Sequence, residues 1–170
     1  QKPFTMESLA AKVCEAMEGA GAFLVVEDAK GRVNAMTIGW AQLGVIWGEP
    51  IMSVLVRPSR HTYSLLETAK YFSVCVPRRG ELKKELAFCG SKSGREYDKI
   101  RACGLKLRDG AAKGLRYIDG CALVYQCELY GRTALAGEKL APAALKKYYA
   151  PAETPHTLYF GKVIKAEHSR

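Results

Sequence analysis

Six or seven strand-like segments follow one another along this chain, with short helices inserted between them and no regular β-α-β alternation. A doubly wound parallel sheet needs a crossover helix after nearly every strand, so that order excludes it. It predicts a mainly β chain: an antiparallel closed barrel with helices packed outside.

The segments are read as follows. Residues 7–18 place Leu9, Val13, Ala16 and Met17 at helical spacing, with Gly19 and Gly21 to end the helix. Ala22–Glu27 (AFLVVE) is a strand, Asp28-Ala29-Lys30-Gly31 a turn, and residues 33–41 (VNAMTIGWA) a second strand. A loop containing Trp47 is expected over 42–50. Residues 51–56 (IMSVLV) form a continuous apolar strand, followed by a short helix around Leu65, Leu66 and Ala69 and by a strand at Tyr71–Val76. Residues 81–88 look helical. Ser93-Gly94-Arg95-Glu96 has the order of a capping box, predicting a further short helix that Gly104 ends. Residues 105–115 read as a polar loop. Residues 118–130 and Thr157–Glu167 supply one or two long strands each, with Gly120 and Gly161 as bulges or bends.

With 170 residues, 48% hydrophobic and 25% charged, the chain is expected to fold as a single domain spanning 1–170. It contains no run of eighteen apolar residues, and QKPFTMESLAAK lacks the charged-then-apolar order of a signal peptide, so a soluble cytoplasmic protein is expected. Six cysteines without a Cys-x-x-Cys pair or metal-ligand spacing predict free thiols acting as small core residues and no metal site. The net charge of +9 favours anionic ligands. A nucleic-acid-binding domain would add a continuous basic face interleaved with aromatics, and neither a basic run nor a known motif is present. No nucleic-acid or membrane partner is expected.

The stretch LVRPSRHTYSLLE at 55–67 holds more donors than a strand-to-helix turn needs. Ser59 follows Pro58 and can cap the helix through the N–H of His61 or Thr62. Arg57, Arg60 and the Thr62 hydroxyl then flank a helix start, where an arginine is otherwise poorly placed beside the positive end of the dipole. The residues have the parts of a phosphate cradle, and a solvated turn is the alternative reading.

Five ordered pieces give the chain a family resemblance: GRVNAMTIGW at 31–40, VRPSRHTYSLLE at 56–67, YFSVCVP at 71–77, FCGSKSGREYDK at 88–99 and HTLYFGKV at 156–163. In these the sequence resembles the flavin reductase-like proteins, which have an FMN-binding split barrel and include flavoredoxin and NAD(P)H:FMN oxidoreductases. The resemblance implies that Arg57, Ser59, Arg60 and Thr62, with Tyr63 at their side, hold the FMN phosphate. It implies that Asn34, Met36, Thr37, Ile38, Gly39 and Trp40 lie along the isoalloxazine edge. It also implies that Cys89, Gly90, Ser91, Ser93, Gly94 and Lys99 form a polar loop against the ribityl and phosphate end. His156 corresponds to a histidine near the flavin on the nicotinamide side, and Pro155 stands where many relatives carry an acid.

The activity so implied is hydride transfer from NAD(P)H to FMN, with NAD(P)H a transient co-substrate. No Gly-x-Gly-x-x-Gly follows a strand, so the nicotinamide must bind over the flavin itself. A flavoredoxin-like carrier that keeps FMN and serves a protein partner needs the same cradle and is the alternative. A homodimer is implied in both cases, with a redox protein or flavin-dependent monooxygenase as possible recipient of the electrons.

Overall fold

The computed structural model describes residues 5–168. Thr5 opens α1 (Met6–Glu18) by accepting from the Ser8 N–H at 3.1 Å, and Gly19 closes it. Leu9 and Val13 are the residues that α1 buries. They bury because they lie one turn apart on the same helical face.

Strands β1 (Ala22–Glu27) and β2 (Val33–Ile38) form a hairpin in which Leu24 faces Met36 and Val26 faces Asn34. Its turn is tied by Asp28, whose carboxylate accepts from the N–H groups of Lys30 and Arg32 at 2.9 Å and pairs with the Arg32 guanidinium. Gly31 is left-handed there, at φ 77°. The expected second strand, 33–41, is broken after Ile38, and the expected loop over 42–50 contains a strand, β3 (Ala41–Ile46). Trp47 and Gly48, both at positive φ, turn it back into β4 (Glu49–Val56). Two consecutive left-handed residues make the two-residue hairpin turn whose twist suits the flanking strands. The sequence pattern conceals β3 because only Leu43 in it is buried.

Next come α2 (His61–Leu66), β5 (Tyr71–Val76), α3 (Lys83–Ser91) and α4 (Lys99–Ala102). The expected cap at Ser93 does not open a helix. The Ser93 carbonyl closes a turn by accepting from Glu96 and Tyr97, and Asp98 caps α4 through the Arg101 N–H. Within the expected polar loop lies β6 (Leu107–Asp109), paired with β7 (Arg116–Ile118). The chain ends with β8 (Leu123–Ala134), α5 (Pro142–Tyr148) and β9 (Thr157–Glu167). Gly120 sits in the turn before β8 at φ 81°. Gly161 faces a bulge, since the β8–β9 register slips past Tyr130, and a Cβ on it would lie 2.2 Å from the Phe72 ring.

Seven strands pair antiparallel in the order β2-β1-β5-β8-β9-β4-β3. Among the described residues β2 and β3 do not pair with each other, so the ladder is not closed and the barrel is split. Leu24, Met36, Val54, Phe72, Tyr125 and Tyr159 pack inside it. Alternate residues of the same strands, Phe23, Val25, Cys75 and Val124, pack outward against Leu86 and Cys89 of α3 and Ile118 of β7. Strand β1 is therefore covered on both faces, which is why AFLVVE lacks a polar alternation. All six cysteines are free: Cys75, Cys89, Cys121 and Cys127 are buried as expected, whereas Cys14 is exposed. No helix among the described residues is long and apolar enough to cross a membrane.

Candidate functional site

Four pieces converge at one end of the split: the C-terminal half of β2, the turn from β4 into α2, the loop from α3 to α4, and the residues leading into β9. They border two adjoining cavities of about 170 and 230 Å³ that share Met36 and Arg60. Together these reach the lower part of the range of roughly 300–1,000 Å³ typical of small-molecule sites.

The smaller cavity is polar. Asn34, Ser59, Arg60, His61, Thr62, Ser91, Lys92, Ser93, Gly94 and Lys99 line it with Met36. Ser59 does not cap α2: the N-cap position is Arg60, and no side chain bonds the first turn. Arg60 reaches across to α3, donating to the carbonyls of Gly90 at 2.8 Å and Cys89 at 3.3 Å. Lys99, only 2% exposed, donates to the same Cys89 carbonyl at 3.0 Å. Two cations thus meet the free carbonyls at a helix end, the favourable side of its dipole. Burial, with Arg60 adding repulsion, pulls the Lys99 ammonium down to about 8. His61 is also held below its usual range, by burial and then by Arg95, Arg32 and Lys99. Asn34 donates to the Thr62 hydroxyl at 2.8 Å, tying β2 to α2 inside the wall. Gly94 leans on that pair: a Cβ there would stand 2.4 Å from Asn34 Oδ1 and 2.6 Å from His61 Cδ2.

The larger cavity is bordered by Met36, Thr37, Ile38, Gly39, Trp40, Leu55, Arg57, Arg60 and His156. The Thr37 hydroxyl donates to the Leu86 carbonyl at 2.6 Å, so it fixes β2 against α3. Among the described residues, none lies within 4 Å of a Cβ placed on Gly39. The rings of Trp40 and His156 lie 4.9 Å apart, and Trp40 meets Tyr148 edge-on at 5.0 Å. Burial and then the charge of Arg57 lower the His156 imidazole to about 4, so it is neutral at pH 7.

Three expectations change. Arg57 does not join Ser59, Thr62 and Lys99 but lies at the larger cavity, ion-paired with Glu153 and donating to the Tyr148 carbonyl at 3.0 Å. Both arginines border the larger cavity, but only Arg60 also reaches the smaller one, a division of partners that a list of spacings does not reveal. Tyr63 packs against the barrel core, its ring 6.3 Å from that of Tyr159, and borders neither cavity. Cys89 and Gly90 contribute carbonyls to Arg60 and Lys99. The Cys89 thiol itself is buried, and that burial pushes it up to about 12, unsuited to thiolate chemistry.

Sequence reasoning did not single out His61, Lys92, Leu55, Tyr148, Tyr149 or Glu153 as site residues. His61 stood within the quoted turn; the residues of α5 and the turn after it carried no comparable signal. A separate cavity of about 1080 Å³ lies between the end of α1 and residues 77–83, walled by charges of both signs such as Lys12, Glu15, Arg78 and Glu81. It shares no lining residue with the other two.

Known structures share this arrangement of strands and helices. An FMN-binding protein from Thermus thermophilus, crystallised with p-hydroxybenzaldehyde, is 26% identical over 86% of this chain and 70% of its own, with a TM-score of 0.67. Two further structures are alike in fold. Flavoredoxin of Desulfovibrio vulgaris (Miyazaki F) is 18% identical over 86% of this chain and 68% of its own, TM-score 0.66. An NADH:FAD oxidoreductase from Streptomyces globisporus C-1027 is 16% identical over 86% and 74%, TM-score 0.64. The fold is the FMN-binding split barrel. No curated protein matches the sequence. The model of the flavin reductase like domain matches residues 17–170, and with the split barrel already established by its strand order, the chain belongs to that family.

Proposed function

We propose that the two cavities form one FMN site and that the chain is an NAD(P)H:flavin oxidoreductase. The observation that carries this reading is the division of the groove: hydroxyls and cations at one end, and a slot between β2 and His156 at the other, with Arg60 shared. The residues fit the group. Ser59, Ser91, Ser93, Lys92, Lys99 and Arg60 are the donor set a phosphate requires, and charge-assisted bonds make it a strong one. Gly94 lets their loop pack directly on Asn34 and His61, where a side chain would collide. Bound FMN supplies a planar ring able to accept a hydride from a nicotinamide. Met36 to Trp40 lie along one edge of the slot, and Arg57 and Arg60 contribute positive potential that favours a reduced, anionic ring.

The similarity to a 26% identical FMN-binding protein supports the cofactor, and the family supports the activity. The test is an absorption spectrum of purified protein followed anaerobically after NADH or NADPH is added, then steady-state oxidation with excess FMN. Bleaching of a bound flavin and turnover above the free-flavin background are expected. Retained flavin without turnover would return the flavoredoxin-like carrier; no flavin binding at all would overturn the site. The reduced flavin is then available to a redox protein or flavin-dependent monooxygenase.

Lys99 gives the site a pH signature. A phosphate favours the charged ammonium, so FMN affinity should fall as pH rises through about 8, by up to about tenfold per pH unit. Stability of the flavin-free chain should move the other way. Between about 8 and the ordinary 10.5 the unfolded state binds more protons than the folded one, so stability rises with pH there. Flavin titrations and thermal melts at pH 7 and about 9 check both signs, and Lys99→Met should flatten both.

A homodimer is part of the proposal. Val45 and Trp47 are 67% and 64% exposed, and the Trp47 ring packs on those of Tyr130 and Phe160 at 5.8 and 5.5 Å. This apolar face flanks β3, which ends the ladder with one edge unpaired among the described residues, and a second copy would cover both. Sedimentation should show a dimer that Val45→Asp with Trp47→Ala converts to monomer; a monomeric parent at micromolar concentration would contradict it.

A further inference from the structure

His156 lies immediately before β9 and is 8% exposed. Its carbonyl accepts from the Leu135 N–H at 3.0 Å, and its ring stands between Trp40 and Tyr149, at 4.9 and 5.5 Å. The Tyr149 hydroxyl meets Nδ1 at 2.8 Å. Since His156 borders the larger cavity, the ring atom left for a ligand there is Nε2.

Which nitrogen carries the proton follows from the partners. A neutral imidazole has one N–H and one lone pair. A phenol is a good donor to that lone pair, and here the Arg57 guanidinium lies 5.3 Å from the centre of the Tyr149 ring, where its charge strengthens the O–H as a donor. Among the described residues the hydroxyl has no second acceptor. If Tyr149 donates to Nδ1, the imidazole proton sits on Nε2.

Tyr149 is held for this task. It follows α5, its N–H donating to the Leu145 carbonyl at 3.0 Å. A tight turn then brings Glu153 back, with Ala150 N–H on its carboxylate at 3.1 Å, to pair with Arg57 at the end of β4. Tyr148 stacks edge-on against Trp40. Residues 142–153 thus form a strap fastened to both walls of the larger cavity.

We propose that Tyr149 is a positioning residue which locks His156 as its Nε2–H tautomer, making it a fixed neutral donor to a carbonyl or anionic edge of a planar ligand. The ligand's identity as a flavin or nicotinamide ring rests on the function proposed above; the tautomer does not. A neutral donor of this kind binds a ring oxygen without titrating at neutral pH. It also discriminates against ligands that present only N–H groups at that position.

The test is long-range proton–nitrogen correlation on the nitrogen-15-labelled 170-residue chain, with and without FMN, His156 being assigned by loss of its signals in His156→Gln. The parent should show a protonated Nε2 and a bare Nδ1 at pH 7. Tyr149→Phe should average the two tautomers, keep FMN by visible absorbance, and slow NAD(P)H-driven reduction about tenfold, the worth of one aimed hydrogen bond. A protonated Nδ1 or an imidazolium in the parent overturns the proposal, as does an unchanged spectrum in Tyr149→Phe. Should that variant not fold, fluorotyrosine incorporation replaces it: a stronger phenol donor must shift Nδ1, and an unmoved Nδ1 counts against the assignment. A parent that binds no FMN removes the flavin reading, while the flavin-free spectrum still decides the role of Tyr149.

Discussion

Arg60→Ala should leave a folded chain that no longer retains FMN, with affinity reduced about a hundredfold to a thousandfold. Arg60 is the charged residue common to both cavities, and it is bonded to the carbonyls of Gly90 and Cys89. Its removal takes away a charge from the phosphate end and a brace between α2 and the end of α3. Lys99 still bonds the Cys89 carbonyl, so the α3 terminus keeps one cation and the fold should survive. Arg57→Ala should weaken FMN far less, because Arg57 is already engaged by Glu153 and Tyr148 and stands at the other end of the groove. Its effect should appear in the reduction step and in the mobility of the strap. Flavin fluorescence titrations with circular dichroism on the two single variants separate these cases. Equal losses for both would restore Arg57 to the phosphate cluster; tight FMN in Arg60→Ala would remove the phosphate from this pocket.

That contrast marks where sequence stops being informative. The strand β1, the start of β2, β5 and the turn at 57–60 announce themselves because each is a run of one character bounded by Gly, Pro or polar residues. Strand β3 is invisible because an exposed edge buries only Leu43, and burial is what writes a pattern into sequence. The cap at Ser93 fails for a different reason. Its spacing to Glu96 is correct, yet the loop closes on the Ser93 carbonyl and the helix waits for Asp98. A capping box is a local option, and tertiary contacts decide between Ser93 and Asp98. The site residues from β2 were legible through the resemblance alone, since their alternation also suits a plain strand, whereas the 57–60 turn carried the parts of a phosphate cradle in its own residues. Tyr149 was not legible at all. Its value comes from a hydrogen bond to a residue beyond a tight turn, and no periodicity encodes that.

Gly94→Ala should close the phosphate end while leaving the barrel intact, lowering FMN affinity by about fiftyfold or more. Gly94 does not adopt a left-handed conformation, so the effect is one of space. The added carbon would stand 2.4 Å from Asn34 Oδ1, far inside contact distance. Asn34 cannot yield cheaply, because it is buried and its amide donates to the Thr62 hydroxyl. The loop must move instead, carrying Ser93 and Lys92 away from Arg60. That loop is largely exposed, so the flavin-free chain should lose only about 1 kcal/mol of stability, a small drop in melting temperature. Gly39→Ala is the informative partner. No described residue lies within 4 Å of a Cβ there, so its melt should match the parent, and any loss of FMN comes from contact with the ligand itself. Loss at both glycines would place phosphate and ring at the two ends assigned to them. Unaltered FMN binding by Gly94→Ala would mean that the anionic group docks elsewhere, and the division of the groove into a cationic end and a ring slot would have to be abandoned.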